Sequence, residues 1–259
     1  MKFEHFFSKQ TINILRNLGV YFFDFFFTKI CLLCRDRIIL EVSFKENNFY
    51  DEKIKHKSTK YFCDSCKTKI EFAPHKDEIT NNLVASLPEN QPIISNAISL
   101  FSHSEEFPAF NLIYKLKYYG FTKIGIEYGI WLGKLLDNYG LKHYDFIVPV
   151  PIHKIKKRER GYNQSDLIAI GVHKILKIPI AKDLLKKIKH TKSQTQLSST
   201  DRKTNLLDAF EVNNSDDLCG KKILLVDDVL TTGSTVNNCA LCLLENSASS
   251  VDVATLLKA

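Results

Sequence analysis

One uninterrupted run, residues 223–235, constrains this chain more than any other part of its sequence. It begins with four apolar residues, typical of a buried strand, and Asp227 and Asp228 follow them. A hydroxyl-rich turn comes next and leads into an apolar helix; its residues are Thr231, Thr232, Gly233, Ser234 and Thr235. Backbone N–H groups at a helix start attract phosphate, and vicinal ribose hydroxyls can donate to two carboxylates. The run therefore predicts a sugar-phosphate site, and an ordinary turn with capping hydroxyls is the alternative.

The same run resembles the 5-phosphoribosyl 1-pyrophosphate (PRPP) motif of type I phosphoribosyltransferases. It matches without a gap: four apolar residues, two acids, an apolar residue, any residue, and then Thr-Thr-Gly-x-Thr. The resemblance implies PRPP with Mg²⁺ as the ligand and residues 231–235 as the site of its 5-phosphate. It also implies that Asp227 and Asp228 hold the catalytic position in any transfer reaction.

Two Cys-x-x-Cys pairs predict a metal site near the N-terminus. Each pair suits a turn that directs two thiolates at one ion, and four thiolates make a structural zinc site. The polar segment between the pairs has too few apolar residues to fold alone, so a metal would help to order it. Free or redox-active thiols are the alternative. The predicted zinc ligands are Cys31, Cys34, Cys63 and Cys66.

A third pair, Cys239 and Cys242, has a different interpretation. It lies in the apolar helix that follows the hydroxyl-rich turn, and no second pair accompanies it. Its spacing places both thiols near one apolar face, so we expect them to pack in the core.

Positive charge is concentrated in one part of the chain. The net charge is +7, and residues 141–210 alone contain fifteen Lys or Arg against six Asp or Glu. A basic stretch beside a phosphate site favours a polyanionic partner, either pyrophosphate or a nucleic acid. A solvated, Lys-rich surface is the alternative.

Residues 148–165 make this polyanion hypothesis specific. Their pattern predicts a strand end, a basic loop and a helix cap. Because ligands of parallel sheets bind beyond the carboxyl ends of the strands, this basic loop is a candidate binding site. For pyrophosphate the candidates are Val150, Pro151, His153 and Lys154. For DNA the candidates are Lys156, Lys157, Arg158, Arg160 and Tyr162, with Tyr118 and Tyr119 as further aromatic residues for stacking.

Strands that alternate with helices predict an α/β fold with a parallel sheet flanked by helices. We expect an N-terminal helix and zinc-ribbon region at 1–80 and a phosphoribosyltransferase-like domain at 81–259. The apolar run 18–33 is interrupted by Asp24 and Lys29 and is short for a membrane span. We therefore expect no transmembrane segment and, because no export signal is visible, a cytoplasmic protein, with the inner face of the membrane as an alternative location.

The chain as a whole resembles the ComF family of competence-associated proteins. The resemblance rests on the Cys-x-x-Cys pairs, the run 114–120, the Pro-Val-Pro run 149–151 and Arg-Glu-Arg-Gly-Tyr-Asn-Gln at 158–164. Residues 196–198 and 202–205 and the PRPP motif also match, in the order of the family. The resemblance implies a zinc ribbon joined to a type I phosphoribosyltransferase fold.

The resemblance also implies a role in handling single-stranded DNA during natural transformation, with a competence helicase or DNA-channel protein as a partner. A phosphoribosyltransferase active on an unknown base and a PRPP-dependent regulator, including a sister branch named for gluconate utilisation, are the alternatives. For a base site we expect Phe107, Phe110 or Tyr114, and for a closing loop the polar residues 189–205.

Overall fold

A computed structural model describes residues 30–38, 61–86, 93–188, 209–213 and 218–259. The proposed closing loop 189–205 and residues 18–29 of the apolar run lie outside these ranges. None of the helices within them has the length and apolar character that a membrane span needs. The chain divides into two compact units, Met1–Lys69 and Ile70–Ala259. The division into regions 1–80 and 81–259 stays a prediction.

The first unit contains the paired cysteine turns. A turn over residues 32–34 is closed by an antiparallel bridge between Ile30 and Arg37, and Cys31 N–H donates to Asp36 O at 2.7 Å. Helix α1 (Asp64–Lys67) follows Cys63. The two turns are joined where Leu32 N–H donates to Tyr61 O at 2.9 Å.

The second unit is built on a parallel sheet. Its strands are β1 (Ile94–Ser102), β2 (Phe146–Pro149), β5 (Lys222–Leu230) and β6 (Ser250–Lys258), in the spatial order β1-β6-β5-β2. All three neighbouring pairs are parallel. Two short strands, β3 (Leu185–Lys187) and β4 (Phe210–Val212), form a separate antiparallel pair.

Helices flank this sheet, which confirms the predicted fold class. They are α2 (Lys76–Ser86), α3 (Phe110–Tyr118), α4 (Thr122–Asn138), α5 (Lys154–Arg160), α6 (Gln164–Leu176) and α7 (Ser234–Glu245). Apolar residues of α2 and α7 share a buried cluster with Ile223 and Leu225 of β5. Because alternate side chains of a strand point to opposite faces, Leu224 and Val226 are buried on the other face, where α6 packs.

Helices α4 and α6 approach each other closely because glycines line their contact. A Cβ on Gly171 would lie 2.2 Å from Ile126 O, and one on Gly129 would lie 2.3 Å from Ile168 O. Backbone atoms at this distance leave no room for a side chain, so the small residues set the position of α6. That position matters because α6 begins at the edge of the candidate site.

The predicted strand 223–226 is longer in the structure. Strand β5 continues through Asp227 and Asp228 to Leu230, because β6 keeps pairing with it as far as Lys258. Both acids therefore lie within a paired strand and not in the loop after it. The prediction that Cys239 packs in the core is confirmed, since this residue of α7 is fully buried in the apolar cluster that the helix shares with β5.

Candidate functional site

A cleft of about 270 Å³ opens at the carboxyl ends of β2 and β5. Its walls combine two acids, two hydroxyls and four cationic side chains, which are Asp227, Asp228, Thr231, Thr235, Lys117, Lys156, Arg160 and Lys187. Val150, Pro151 and His153 line it from the end of β2. The structure thus brings the PRPP-like run and the basic run 148–165 to one site, as their strand-end positions predicted.

The cleft exists because β2 ends before β5 does. The last regular pair of these strands joins Pro149 to Val226, and Val150 N–H donates to Val226 O at 2.9 Å. Beyond this point the chain leaves the sheet and enters α5, whereas β5 continues beside β6. Residues 227–229 of β5 therefore have a strand neighbour on one side and the cleft on the other.

Asp227 is held by two donors. Its Oδ1 accepts from Ser165 Oγ and from the backbone N–H of Asp228, both at 2.9 Å. Burial raises the pKa of the Asp227 carboxyl to about 7, and the adjacent Asp228 adds to this rise while the two hydrogen bonds oppose it. A single proton at Asp227 is consequently gained or lost near neutral pH.

Asp228 is buried and forms an ion pair across the cleft. Its Oδ2 lies 2.9 Å from Nζ of Lys117, which reaches over from α3. The ammonium is close enough for an ion pair but is not oriented for a hydrogen bond, and no other donor in the described part of the chain bonds to this oxygen. A buried carboxylate with one cation beside it and an unused lone pair can still accept a hydroxyl hydrogen from a ligand.

The hydroxyl-rich turn lies at the N-terminus of α7. Gly233 caps this helix with φ of +75°, a conformation that favours glycine, and its missing Cβ leaves room for Leu83. Thr232 Oγ1 and Ser234 Oγ are 3.0 Å apart, and Thr231 and Thr235 line the cleft. Hydroxyls and the free N–H groups of a helix start thus face the same cavity as the acids.

The run 160–165 forms a junction that supports the cleft. Gly161 ends α5 with φ of +80°, and Asn163 caps α6 while its amide donates to Val150 O at 3.0 Å. Arg160 donates to Gln164 Oε1 at 2.6 Å. Because Ser165 in turn holds Asp227, this run ties the end of β2 and the acidic residue to the same helix.

Three polar or charged residues of the cleft were missed by the sequence prediction. They are Lys117, Gln164 and Lys187, and the sequence analysis assigned a ligand-binding role to none of them. Burial lowers the pKa of Lys187, whose ammonium lies over the Phe210 ring at 5.2 Å from its centroid. These residues come from α3, α6 and β3, which only the folded chain brings to one place.

Other predicted residues lie at the edge of the site or away from it. Lys154, Lys157 and Arg158 are exposed on α5 and do not line the cleft. Tyr162 is half-buried, and its hydroxyl donates to Leu116 O. Their roles in binding pyrophosphate and DNA stay predictions. The expectation for Phe107 as a base-stacking residue is wrong, since its ring is fully buried against Phe101 at 5.6 Å.

In the first unit the four predicted cysteines converge. The sulfur atoms of Cys31, Cys34, Cys63 and Cys66 all lie within 4.8 Å of one another. Burial raises the pKa of the Cys31 thiol, but hydrogen bonds from backbone N–H groups outweigh it and lower the pKa to about 7. Burial and the neighbouring thiols raise the pKa of Cys66. This clustering fits four ligands around one tetrahedral ion.

Comparisons with known proteins found one matching family and several relatives that match part of the chain. Residues 165–259 match the family described as "Phosphoribosyl transferase domain". "Competence protein F" of Haemophilus influenzae is 42% identical over 98 residues, which cover 38% of this chain and 43% of that protein. "DNA utilization protein YhgH" of Escherichia coli is 38% identical over 114 residues, 44% of this chain and 49% of that protein.

A further relative is "Competence protein ComFC" of Bacillus subtilis, which is 34% identical over 121 residues, covering 46% of this chain and 47% of that protein. The match thus spans a little under half the length of each of these relatives. The phosphoribosyl transferase match includes the PRPP-like run and α7 in full.

The raised pKa of Asp227 predicts a specific pH dependence of stability. Between about pH 4 and pH 7 the folded protein retains a proton that the unfolded chain loses, so this group makes stability fall as pH rises. Asp227→Asn keeps an oxygen for both donors and removes the titration. Relative to the parent protein, the free energy of unfolding of Asp227→Asn in urea should therefore rise by about 4 kcal/mol from pH 4 to pH 8.

Asp145→Asn is the matched control. The N–H of Lys222 and the ammonium of Lys221 lower the pKa of the Asp145 carboxyl. Asp145→Asn should therefore lower the free energy of unfolding at neutral pH, and this loss should become smaller as the pH falls toward 3. If the free energies of unfolding of Asp227→Asn and the parent protein differ equally at pH 4 and pH 8, the raised pKa is contradicted.

Proposed function

Since this chain belongs to the ComF family and its C-terminal part has a type I phosphoribosyltransferase fold, we propose that it binds PRPP and handles single-stranded DNA during DNA uptake. One observation carries the proposal: the acid pair of β5, the hydroxyl turn of α7 and four cationic side chains line the same cleft. Two relatives are named for competence and one for DNA utilization, which supports the biological context.

The cleft has a complementary group for each part of PRPP. The 5-phosphate binds at the turn 231–235, where helix N–H groups and hydroxyls converge. The ribose hydroxyls donate to Asp227 and Asp228. The diphosphate lies toward the end of β2, where Val150, Pro151 and His153 line the cleft and Lys154 follows them. Lys156, Arg160 and Lys187 add positive charge within the cleft.

Magnesium fits the same site. Mg²⁺ is usually bound by one or two carboxylates together with phosphate oxygens of the substrate, and the carboxylates of Asp227 and Asp228 supply such oxygens at the cleft. A bound Mg²⁺ would neutralise part of the diphosphate charge. Because protonation of Asp227 competes with cation binding, the Mg²⁺-dependent part of PRPP affinity increases as the pH rises through about 7.

Single-stranded DNA is the second proposed ligand. Helix α5 carries Lys156, Lys157 and Arg158 as exposed side chains, and its sequence KIKKRER contains one acid. Cations in a row attract the phosphate backbone of a nucleic acid without reading its sequence. The helix starts directly beyond the diphosphate side of the cleft, so the two proposed ligands would be neighbours.

Zinc is the proposed occupant of the cysteine cluster. Four sulfur ligands at about 2.3 Å from one ion are separated by less than 4 Å, and Cys34 Sγ lies 3.5 Å from Cys63 Sγ. A closed set of four thiolates leaves no open position for substrate, so the role of the ion is structural. It would hold the two turns of the first unit together.

The PRPP site is tested by calorimetric titration with PRPP and Mg²⁺. Thr235→Val removes a hydroxyl in the first turn of α7 and should weaken binding by at least about 10-fold, since hydrogen bonds to charged groups contribute roughly 1.5–3 kcal/mol. Replacing Asp227 and Asp228 together by Ala should abolish measurable binding. Thr122→Val is the matched control, because Thr122 also lies in a first helical turn but outside the cleft. Equal affinities for all four proteins would exclude this site.

The DNA proposal is tested by measuring oligonucleotide affinity across a salt series. The double change Lys157→Gln and Arg158→Gln should lower the slope of log affinity against log salt by about 1.4, if each side chain meets one phosphate. PRPP affinity should not change, because neither residue lines the cleft. The control pair, Lys123→Gln and Lys134→Gln, removes two exposed charges from α4. A control pair that changes the slope equally would refute α5 as the DNA surface.

The zinc proposal is tested by elemental analysis of freshly purified protein. We expect about one zinc per chain, as for a single four-thiolate site. Cys34→Ser should lose the metal, whereas Cys219→Ser should keep it, because Cys219 is exposed in the other unit and outside the cluster. Zinc-free parent protein, or equal zinc content in both variants, would mean that the cluster does not hold zinc.

A further inference from the structure

Three tyrosines form an exposed group at the end of α3. Tyr114, Tyr118 and Tyr119 are 54%, 60% and 62% exposed. The ring of Tyr114 lies 4.9 Å from that of Tyr118 and 5.7 Å from that of Tyr119, measured between centroids. We call these residues the tyrosine cluster. A single exposed aromatic residue needs no explanation, but three in contact indicate a binding surface.

The tyrosine cluster has no role in the core. Helix α3 buries Leu112, Ile113 and Leu116 toward the protein, and these side chains account for its packing. Tyr114 and Tyr118 are four residues apart and so share the outer face of the helix. Their mutual contact adds only a few tenths of a kcal/mol to an isolated helix, so the stability of α3 does not explain the group of exposed rings.

Positive charge connects the tyrosine cluster to the cleft. The guanidinium of Arg160 lies over the Tyr118 ring, 5.1 Å from its centroid, and Arg160 also lines the cleft. Arg160 is the last residue of α5, so the exposed cations of that helix begin where the tyrosine cluster ends. Lys115 lies between Tyr114 and Tyr118 in the sequence of α3. Aromatic rings and cations are therefore close to each other at this end of α3.

We propose that the tyrosine cluster stacks the unpaired bases of a single-stranded nucleic acid whose phosphate backbone follows the cations of α5. Aromatic rings beside a cationic track are the combination that binds single strands without reading sequence, because every base has a π face. A base pair in a duplex keeps its faces stacked inside the helix and cannot use this surface. The proposal deepens the proposed DNA-binding function and rests on it.

The experiment compares oligonucleotides with and without bases. We would measure fluorescence anisotropy of a short labelled oligothymidylate and of an abasic strand of equal length with the parent protein, Tyr118→Leu and Tyr118→Phe. Tyr118→Leu should weaken oligothymidylate binding at least 5-fold, since stacking on one aromatic ring typically contributes this much or more. It should not weaken abasic binding. Tyr118→Phe keeps the ring and should bind as the parent protein does.

Phe110→Leu is the matched control. Phe110 lies on the same helix and is 41% exposed, and its ring packs against His103, with the centroids 4.5 Å apart. We expect this variant to bind both strands like the parent protein. A loss equal to that of Tyr118→Leu would overturn the proposal, because the effect would then belong to the helix and not to the tyrosine cluster.

The outcomes separate this inference from the function on which it rests. If the parent protein binds no strand at any salt concentration, the DNA-binding proposal fails and the stacking surface fails with it. If binding is salt-dependent but equal for abasic and base-containing strands, only the stacking surface is refuted. Sedimentation that shows Tyr118→Leu dissociating a dimer without changing strand affinity would assign the tyrosine cluster to a protein interface and would equally refute the inference.

A parallel measurement with RNA tests whether the tyrosine cluster contacts the bases or the sugars of the strand. Oligouridylate and oligothymidylate of equal length present similar bases, whereas only the RNA carries 2′-hydroxyls. Stacking predicts that Tyr118→Leu weakens both strands by a similar factor. A loss confined to RNA would overturn base stacking, because contacts to the sugar hydroxyl would then explain the effect of the tyrosine.

Discussion

The parallel hydrogen-bond ladder that holds β5 between β6 and β2 determines where this protein can bind a ligand. On one side the ladder runs to the end of the sheet, with Leu230 opposite Lys258. On the other side it stops when Pro149 has paired with Val226. Two acidic residues lie directly after this point. The fold therefore places carboxylates on a rigid strand and, by ending β2 early, leaves one side of that strand open.

Placing two carboxylates side by side in a partly buried strand has an electrostatic cost, and the structure shows how it is reduced. Lys117 forms an ion pair with Asp228. Burial and the neighbouring Asp228 raise the pKa of the Asp227 carboxyl, so Asp227 and Asp228 need not both be charged at neutral pH. A ligand that donates hydroxyls to these acids must share Asp228 with Lys117. Helix α3 therefore carries this lysine on the side of the cleft and residues of the tyrosine cluster on its exposed face.

The sequence was sufficient for those parts of the site in which local pattern and chemistry coincide. The run 223–235 combines a buried strand, an acid pair and a helix start within thirteen residues, and the structure brings them to the cleft. The four cysteines converge for a similar reason, since each pair is a local turn. Spacing along the chain thus defines the run 223–235 and each cysteine pair, whereas the two pairs meet through the contact between Leu32 and Tyr61.

Long-range partners could not be predicted in this way. Lys117 is far from Asp228 in the sequence, and the helical pattern of α3 shows only that this lysine lies off its apolar face. The end of β5 was also misjudged, because the strand extends past its apolar residues for as long as β6 offers a partner. Phe107 illustrates the opposite error: an aromatic residue in a polar loop was expected near a base but packs in the core against Phe101.

The run 158–165 shows why a basic motif need not have a single role. Its cations suggest a polyanion, but Asn163 holds Val150 at the end of β2, and Ser165 holds Asp227. Arg160 belongs to both groups, since it bonds Gln164, faces the cleft and lies over Tyr118. A charge change at Arg160 would therefore disturb scaffold, cleft and surface together. Lys157 and Arg158 are exposed and outside the cleft, so changes at these two positions alter the charge of α5 without moving the acids.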